Sequence, residues 1–277
     1  MSLPILNTRQ EPSHSDLIRL FHKTENLWAE HIATAEALDV GTAYTNAELG
    51  EVWDANTIRD VALADDLTPG DAFEQVEAHY ASKNTKCYYW TFNPSAPPQR
   101  TKPLSDLLLS RGYQVFANDI MVLRQAAGRA LPDIEGLKII PARASFRHTR
   151  QILEESATRY KTTQLADANM LHLDDPHWDA LLALRDGQPV GYMGVLAVGE
   201  IGRIDEVYVA KSHRRQGIGS LMLSRVLEIC ARSLFKHVLL SVNPKNSAAI
   251  ELYQKFGFQK IGEISGYFRP GINHHPS

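Results

Sequence analysis

The sequence predicts an α/β fold of the mixed α+β type, organised as two units in tandem, each a central mixed sheet flanked by helices. Three observations support this prediction. In the C-terminal half, strand-like apolar runs alternate with segments whose apolar residues recur at helical spacing. A glycine-containing loop joins one of these strands to the next helix. The N-terminal half passes through a shorter version of the same order, and 277 residues suffice for two units.

Composition and charge describe an ordinary globular chain. Apolar residues make up 44% of the sequence and charged residues 22%, and no run approaches the roughly 18 apolar residues of a membrane span. Acidic residues are in excess before residue 133 and basic residues after it, but no basic run is dense enough to indicate a nucleic-acid partner. Without a targeting segment, and with two distant cysteines, Cys87 and Cys230, we expect a cytoplasmic protein with buried, reduced thiols.

The N-terminal half predicts strands and helices in alternation. The predicted elements are a strand at 56–61, a helix at 70–81, a strand at 87–92, a helix at 104–111 and strands that continue through residue 123. A stretch rich in small residues then predicts a linker. We therefore divide the chain into a domain at 1–125, a linker at 126–134 and a second domain at 135–277.

The C-terminal half shows the same alternation more strongly. The predicted elements are strands at 138–140, 180–184, 190–198, 203–209, 237–242 and 258–264, and helices at 145–162, 218–233 and 247–256. Gly257 ends the last helix, because glycine adopts the left-handed conformation that closes a helix C-terminus.

The most informative segment follows the fourth of these strands. Arg214, Gly217 and Gly219 form an Arg-x-x-Gly-x-Gly motif between strand and helix. Residues without a Cβ let the backbone approach a ligand closely, and a helix N-terminus presents unpaired N–H groups to phosphate oxygens. The segment lacks the Lys-Ser/Thr ending of a nucleotide P-loop, since Ser220 follows Gly219, and Met222 replaces the third glycine of a dinucleotide site. The motif therefore predicts a site for another pyrophosphate.

A second motif follows the next strand. Its residues are Asn243, Asn246, Ala249, Leu252, Tyr253, Gly257 and Phe258. Together the two motifs resemble the GNAT acetyltransferase superfamily over about residues 136–265. The N-terminal half looks like a degenerate second GNAT unit, with an unrelated α/β cap as the alternative. Its corresponding loop carries Asp65, Asp66 and Pro69, which would repel a pyrophosphate and remove an N–H donor, so we expect the cofactor only in the C-terminal half.

The resemblance implies acetyl-CoA as co-substrate, no metal, and a set of cofactor-binding residues. The set comprises Val207, Tyr208, Val209, Arg214, Arg215, Gln216, Gly217, Ile218, Gly219, Ser220, Asn243, Asn246 and Tyr253. Backbone groups of Val207 and Val209 would meet the pantetheine arm, and the Val207 N–H would polarise the thioester carbonyl. Tyr253 would protonate the departing thiolate, as a neutral phenol can. Packing is the alternative role for Tyr253, and helix capping is the alternative for Asn246.

Asp205 and Glu206 are the candidate catalytic acids. Asp205 matches the position at which several polyamine-type family members carry a general base, and Glu206 would bind the amine or exchange roles with it. The alternative is that both are surface charges at a strand end. Regular strand alternation places Asp205 and Val207 on one face and Glu206 and Tyr208 on the other.

One further cluster contains the residue types of a metal site but not the spacing of its ligands. His172, Asp174, Asp175 and His177 are close in sequence, but the spacing and Pro176 favour a solvated loop, with a role in acceptor binding left open.

The sequence thus predicts an N-acetyltransferase that transfers an acetyl group to a primary amine by direct attack in a ternary complex, without an acetyl-enzyme. We expect a small cationic amine as acceptor, because the N-terminal half is acidic. Two alternatives stay open: a catalytically inactive coenzyme A-binding sensor or scaffold, and an acetyltransferase that acts on a protein amine. The sequence indicates no oligomeric state.

Overall fold

The computed structural model describes residues 11–125, 131–160 and 162–269, so part of the predicted linker lies outside the described residues. The strands are β1 (Thr34–Leu38), β2 (Gly41–Thr45), β3 (Thr57–Val61), β4 (Tyr89–Phe92), β5 (Gln114–Leu123), β6 (Leu137–Pro141), β7 (Trp178–Arg185), β8 (Gln188–Val198), β9 (Ile201–Val209), β10 (His237–Val242) and β11 (Phe258–Phe268). The helices are α1 (His14–Ile32), α2 (Pro69–Ser82), α3 (Lys102–Ser110), α4 (Phe146–Ala157), α5 (Gln164–His172), α6 (Ile218–Arg232) and α7 (Ser247–Lys255).

One mixed sheet runs through the described part of the chain. Its strand order is β1-β2-β3-β4-β11-β5-β10-β9-β8-β7-β6. β5, the last strand of the N-terminal half, lies between β10 and β11, and β11 lies between β4 and β5. The mixed sheet flanked by helices confirms the predicted fold class. The two halves exchange their last strands, so they share one sheet instead of standing side by side.

The two halves repeat the same element order. In each half a parallel strand pair, β3–β4 or β9–β10, is followed by helix and strand in the same sequence, ending at β5 or β11. Asp60 on β3 and Glu206 on β9 both have a positive φ, 56° and 53°, beside a register shift. This repetition supports the interpretation of the N-terminal half as a second unit, which stays a prediction.

The sheet is covered on both faces. On β7, Leu181 and Ala183 join the core under α6, whereas Ala180 and Leu182 join the core under α4 and α5 on the opposite face. α1 crosses the junction of the halves, since its Leu17 packs with residues of β5, β9, β10 and β11. This placement brings Glu25 and Trp28 of α1 to the wall of a cavity described below.

Most predicted elements agree with the structure to within a few residues. The predicted helix at 145–162 ends earlier, because α4 stops at Ala157 and a short 3₁₀ turn, residues 158–160, precedes α5. The sequence reasoning missed α1, β1, β2 and α5. Within the described ranges no helix combines the length and apolar character needed to cross a bilayer.

The cysteine prediction is confirmed for burial and for the absence of a bond between the two residues. Cys87 and Cys230 are both buried and free. Burial raises the pKa of both thiols, that of Cys230 to about 12, so neither forms a reactive thiolate at neutral pH.

Candidate active site

The central feature of the C-terminal half is a gap between two parallel strands. β9 and β10 pair from Ile201 and His237 as far as Ile204 and Leu240, and the ladder ends there. Beyond this point the strands diverge around a cleft of about 920 Å³. The divergence leaves one edge of β9 without a strand partner, so its backbone groups can pair with an extended ligand arm.

A β-bulge shapes the cleft side of β9. Tyr208 pairs with Tyr192 and Asp205 with Gly194, so Glu206 and Val207 together oppose a single residue of β8. Glu206 has a φ of 53°, which interrupts strand alternation. The sequence prediction that Asp205 and Glu206 lie on opposite faces is therefore wrong, since both line the cleft.

Asp205 is held by two donors. A guanidinium nitrogen of Arg203 donates to its Oδ2, and the Glu206 N–H donates to its Oδ1 at 2.9 Å. Arg203 is only 1% exposed, whereas the Asp205 side chain is 35% exposed, so the ion pair joins the core to the cleft. Both carboxylate oxygens are thus engaged in fixing the bulge.

Glu206 has a different environment. Its Oε2 accepts a hydrogen bond of 3.1 Å from the Asn169 side chain. Burial, together with the negative charges of Asp205 and Asp54, raises the pKa of Glu206 to about 8 despite Arg159 and Arg203. A carboxylate of this basicity suits proton abstraction near neutral pH.

The glycine loop has the backbone shape expected of an anion site. Gly217 is the N-cap of α6 with a φ of 84°, and Arg215 also adopts a left-handed conformation. The Arg214 side chain lines the cleft and donates from Nε to the Val209 carbonyl at 3.0 Å. Gln216 hydrogen-bonds to Arg185 and to the Ser212 carbonyl, away from the residues that line the cleft.

Not every residue of the predicted cofactor set presents its side chain to the cleft. Val207, Tyr208, Arg214, Asn243, Asn246 and Tyr253 do line it. The rest of the set is not among the described residues that line the cleft: Val209, Arg215, Gln216, Gly217, Ile218, Gly219 and Ser220. The Ile218 side chain is a core residue at 1% exposure, which leaves only its backbone, in the first turn of α6, to face a ligand.

Tyr253 lies on the α7 side of the cleft. It is 4% exposed, and its ring packs edge-on against Phe258 with centroids 5.9 Å apart. Burial and the charge of Asp205 raise the pKa of Tyr253, so the phenol stays protonated and can donate. Asn246 accepts a hydrogen bond from the Ala249 N–H at 3.2 Å, so the helix-capping role proposed for it is present.

A smaller cavity of about 230 Å³ continues from the cleft toward the N-terminal half. Cleft and cavity share Tyr160, Asp205, Glu206, Ser241 and Asn118, so they form one continuous site. The N-terminal half and α1 supply much of the cavity wall, including residues that sequence reasoning did not identify: Glu25, Trp28, Trp53, Asp54, Arg59, Tyr89, Thr91 and Phe116.

An ion-pair network joins α1 to β3 and β9 beneath this cavity. Glu25 pairs with Arg203 and, at 3.4 Å, with Arg59, which in turn pairs with Asp54 at 3.4 Å. Burial alone would raise the pKa of Glu25, but Arg203 and Arg59 outweigh it and hold this pKa below its usual value. Arg59 and Arg203 both lie inside strands, and an arginine in a strand is the sequence signal that could have pointed to a buried partner.

The cluster around His172 is structural in character. His172 is 1% exposed and stacks on Trp28, with ring centroids 3.4 Å apart, while the Asp175 carboxylate accepts from the His177 N–H at 2.8 Å. The prediction of a solvated loop is therefore wrong for His172 and Asp175, because α5 carries His172 into the core beside α1.

Comparison with known proteins gives a family for the C-terminal half. Residues 145–258 match the model of the Acetyltransferase (GNAT) family. A putative ribosomal protein bS18-alanine N-acetyltransferase of Bacillus subtilis is 28% identical over 35% of this chain and 64% of its own length. Rat N-acetyltransferase family 8 member 3 is 31% identical over 41% of this chain and 53% of its own length. The chain thus spans less than two thirds of these relatives.

Solved structures resemble nearly the whole chain. A GCN5-related N-acetyltransferase from Kribbella flavida superimposes with a TM-score of 0.62 at 15% identity, covering 91% of this chain and 96% of its own. A protein of unknown function from Staphylococcus epidermidis gives 0.57 at 16% identity, covering 87% and 95%. At these identities the likeness concerns the fold, and it includes the N-terminal half.

Proposed function

Because residues 145–258 form a domain of the GNAT acetyltransferase family, we propose that this chain transfers the acetyl group of acetyl-CoA to a primary amine. The observation that carries the proposal is the cleft between β9 and β10, which is lined by Lys211 and Arg214 of the segment before α6 and by Glu206 and Tyr253. We further propose that the N-terminal half, as a degenerate second unit, completes the acceptor side of this site.

The cleft suits coenzyme A in shape and charge. The residues that line it include Lys211, Arg214 and Lys245. Directly after the loop, the N-terminus of α6 presents unpaired N–H groups and the positive end of the helix dipole. Lys211 and Lys245 were not among the sequence candidates. The exposed edge of β9 at Val207 can hydrogen-bond the pantetheine arm, with Val209 next along the strand.

The acidic side chains divide the proton chemistry between them. Glu206 takes the proton of the bound ammonium, because its pKa is raised toward neutrality and no arginine pairs with it. Asp205 fixes the bulge through Arg203 and the Glu206 N–H. The amine forms the new C–N bond as the C–S bond breaks, and Tyr253 donates its proton to the leaving sulfur.

The acceptor side favours a small molecule. The cavity beyond Glu206 measures about 230 Å³, below the range of roughly 300–1,000 Å³ common for drug-sized ligands. Two alternatives remain. One is a protein amine as acceptor, because relatives of this chain include a putative bS18-alanine N-acetyltransferase. The other is a coenzyme A-binding sensor.

The test is release of free thiol from acetyl-CoA across a panel of small amines and short peptides with free N-termini. We expect amine-dependent release that is highest for a small cation. Release with peptides alone would favour the protein-amine alternative. Binding of coenzyme A by calorimetry without release for any amine would favour the sensor and contradict the proposal.

A further inference from the structure

The charges that line the cavity beyond Glu206 do not cancel. The lining contains four carboxylates and three guanidinium groups, those of Glu25, Asp54, Asp205, Glu206, Arg59, Arg159 and Arg203. With all of them ionised, the cavity carries one negative charge. A single positive charge on a ligand would neutralise it.

The pairing among these groups shows where that positive charge belongs. Arg59 pairs with Glu25 and Asp54, and Arg203 pairs with Glu25 and Asp205. Among the described residues that line the cavity, Glu206 is the one carboxylate without an arginine ion pair. Arg159 acts on Glu206 through its charge but donates its hydrogen bonds to Ser156, so Glu206 is open to direct contact with a ligand ammonium. The other three carboxylates share two arginines.

Aromatic side chains form a large part of the remaining wall, which is completed by Thr91, Asn118, Ser156, Leu165, Ser241 and Ile264. The Trp53 ring lies edge-on to Tyr160 with centroids 5.0 Å apart and 6.4 Å from Tyr89, and Tyr89 lies 5.1 Å from Phe116. These four side chains line the same cavity as the carboxylates. Burial and the charges of Glu206, Asp54 and Asp205 raise the pKa of Tyr160, so the aromatic wall lies close to the acidic one.

The loop that carries Trp53 is fixed. Asn56, fully buried, donates to the carbonyls of Leu49 at 2.8 Å and Val52 at 3.1 Å. The Glu51 N–H donates to the Gln164 side chain at the start of α5, 2.8 Å away, which ties the loop to the C-terminal half. The aromatic wall is therefore preorganised, so a ligand does not have to order it.

We propose that the acceptor is a small monoamine that joins one ammonium group to a flat apolar ring, with the ammonium at Glu206 and the ring against Trp53, Tyr89, Phe116 and Tyr160. This inference rests on the proposed function for the transfer step. It differs from a general preference for cations, since a second ammonium would lie against aromatic faces and paired carboxylates. It also assigns acceptor selection to side chains of the N-terminal half.

A matched panel of four amines tests the inference. 2-Phenylethylamine carries the ring and one cation, butylamine lacks the ring, putrescine adds a second cation, and phenylalanine adds a carboxylate. We expect kcat/KM for 2-phenylethylamine to exceed that for butylamine and putrescine by at least about tenfold. A preference for putrescine or butylamine would overturn the inference. A preference for phenylalanine would assign Arg159 to an acceptor carboxylate and also overturn it.

Variants of the wall connect the selectivity to named side chains. Trp53→Ala should reduce the ratio of kcat/KM for 2-phenylethylamine to that for butylamine by about tenfold, whereas Trp53→Phe should retain most of it. Phe146→Ala, an exposed aromatic residue on α4 (52% exposed), is the control and should leave the ratio unchanged. Thermal melting of each variant shows whether it is folded. An unchanged ratio in folded Trp53→Ala, or in folded Phe116→Leu if Trp53→Ala does not fold, would contradict the inference.

A binding measurement separates the two proposals. Calorimetry of 2-phenylethylamine and butylamine with protein saturated by coenzyme A needs no transfer step. Tighter binding of 2-phenylethylamine without any acetylation would support the inference and contradict the proposed function. Equal binding of both amines together with their acetylation would support the proposed function and contradict the inference.

Discussion

At the residue scale, the proposed chemistry depends on the contrast between two neighbouring carboxylates. Asp205 has both oxygens engaged by Arg203 and the Glu206 backbone, whereas Glu206 accepts a hydrogen bond from the neutral Asn169 side chain. The β-bulge makes this contrast possible, because it turns both side chains toward one cleft. Regular alternation along the strand would have separated them.

Replacing Glu206 tests the base. Burial and the nearby Asp205 and Asp54 raise the pKa of Glu206 to about 8, with Arg159 and Arg203 opposing them. Only the ionised form accepts a proton, so kcat/KM should rise as the pH increases through about 8. We expect Glu206→Gln to lower kcat at least about a hundredfold and to remove this rise. Glu154→Gln, an exposed change on α4, should keep both rate and profile. A Glu206→Gln profile that superimposes on the wild-type profile would exclude Glu206 as the base.

Replacing Tyr253 tests the acid. Its buried phenol has a raised pKa and remains protonated at neutral pH, so it can donate to the leaving sulfur. Tyr253→Phe should lower kcat about tenfold to a hundredfold with little change in KM for acetyl-CoA. Tyr267→Phe, whose ring packs edge-on against Phe92, is the matched control. If Tyr253→Phe changed only KM or melting temperature, the packing role would be the correct one.

At the element scale, the proposed function places the pyrophosphate at the loop between β9 and α6. Gly217 begins α6 in the left-handed region, where a side chain is strained by about 1–2 kcal/mol. Gly187, in the turn between β7 and β8, has a similar φ of 79° with no atom within 4 Å of an added Cβ. The two glycines thus differ in position and share the same backbone requirement.

This pair of glycines gives a matched experiment. Gly217→Ala and Gly187→Ala should each lower the free energy of unfolding by about 1–2 kcal/mol, measured by denaturant titration. Only Gly217→Ala should also weaken coenzyme A binding, by roughly tenfold or more in calorimetry. Equal coenzyme A affinity in the two variants would remove the loop from the cofactor site.

The elements around this loop could be predicted from sequence, because the spacing of apolar residues and the glycine and proline residues that end an element are local features. The α6 segment has apolar residues at helical spacing, and β10 is a short, mostly apolar run. α5 was missed because its apolar residues do not follow one helical face. α1 was missed although Ser13 and Asp16 form a capping box, a local signal that was available.

At the scale of the whole molecule, the two halves form one site because they share a sheet and a buried ion-pair network. The exchange of β5 and β11 places β4 and β5 beside the cleft, and α1 spans the junction. Sequence reasoning identified Asp205, Glu206 and Tyr253 from motifs. It could not find Trp53, Asp54 or Arg59, because only the strand exchange brings these residues to the C-terminal site.

The network predicts a large stability effect at its centre. Arg203 is buried and pairs with Glu25 and Asp205, so Arg203→Leu would leave Asp205 without an arginine and Glu25 with Arg59 alone. We expect a loss of about 3–5 kcal/mol in the free energy of unfolding. Arg225→Leu, which removes an exposed pair with Glu228, should change it by less than about 1 kcal/mol. Similar losses in both variants would contradict the structural role of the network.

The central claim is that Glu206 and the cleft transfer an acetyl group to an amine held between the two halves. The most direct measurement follows isotopically labelled acetyl-CoA with 2-phenylethylamine by mass spectrometry, in wild type and in Glu206→Gln. We predict one labelled amide formed for each coenzyme A released in wild type, and at least about a hundredfold slower formation in the variant. Coenzyme A binding without a labelled amide from any amine, or equal rates in both proteins, would contradict the claim.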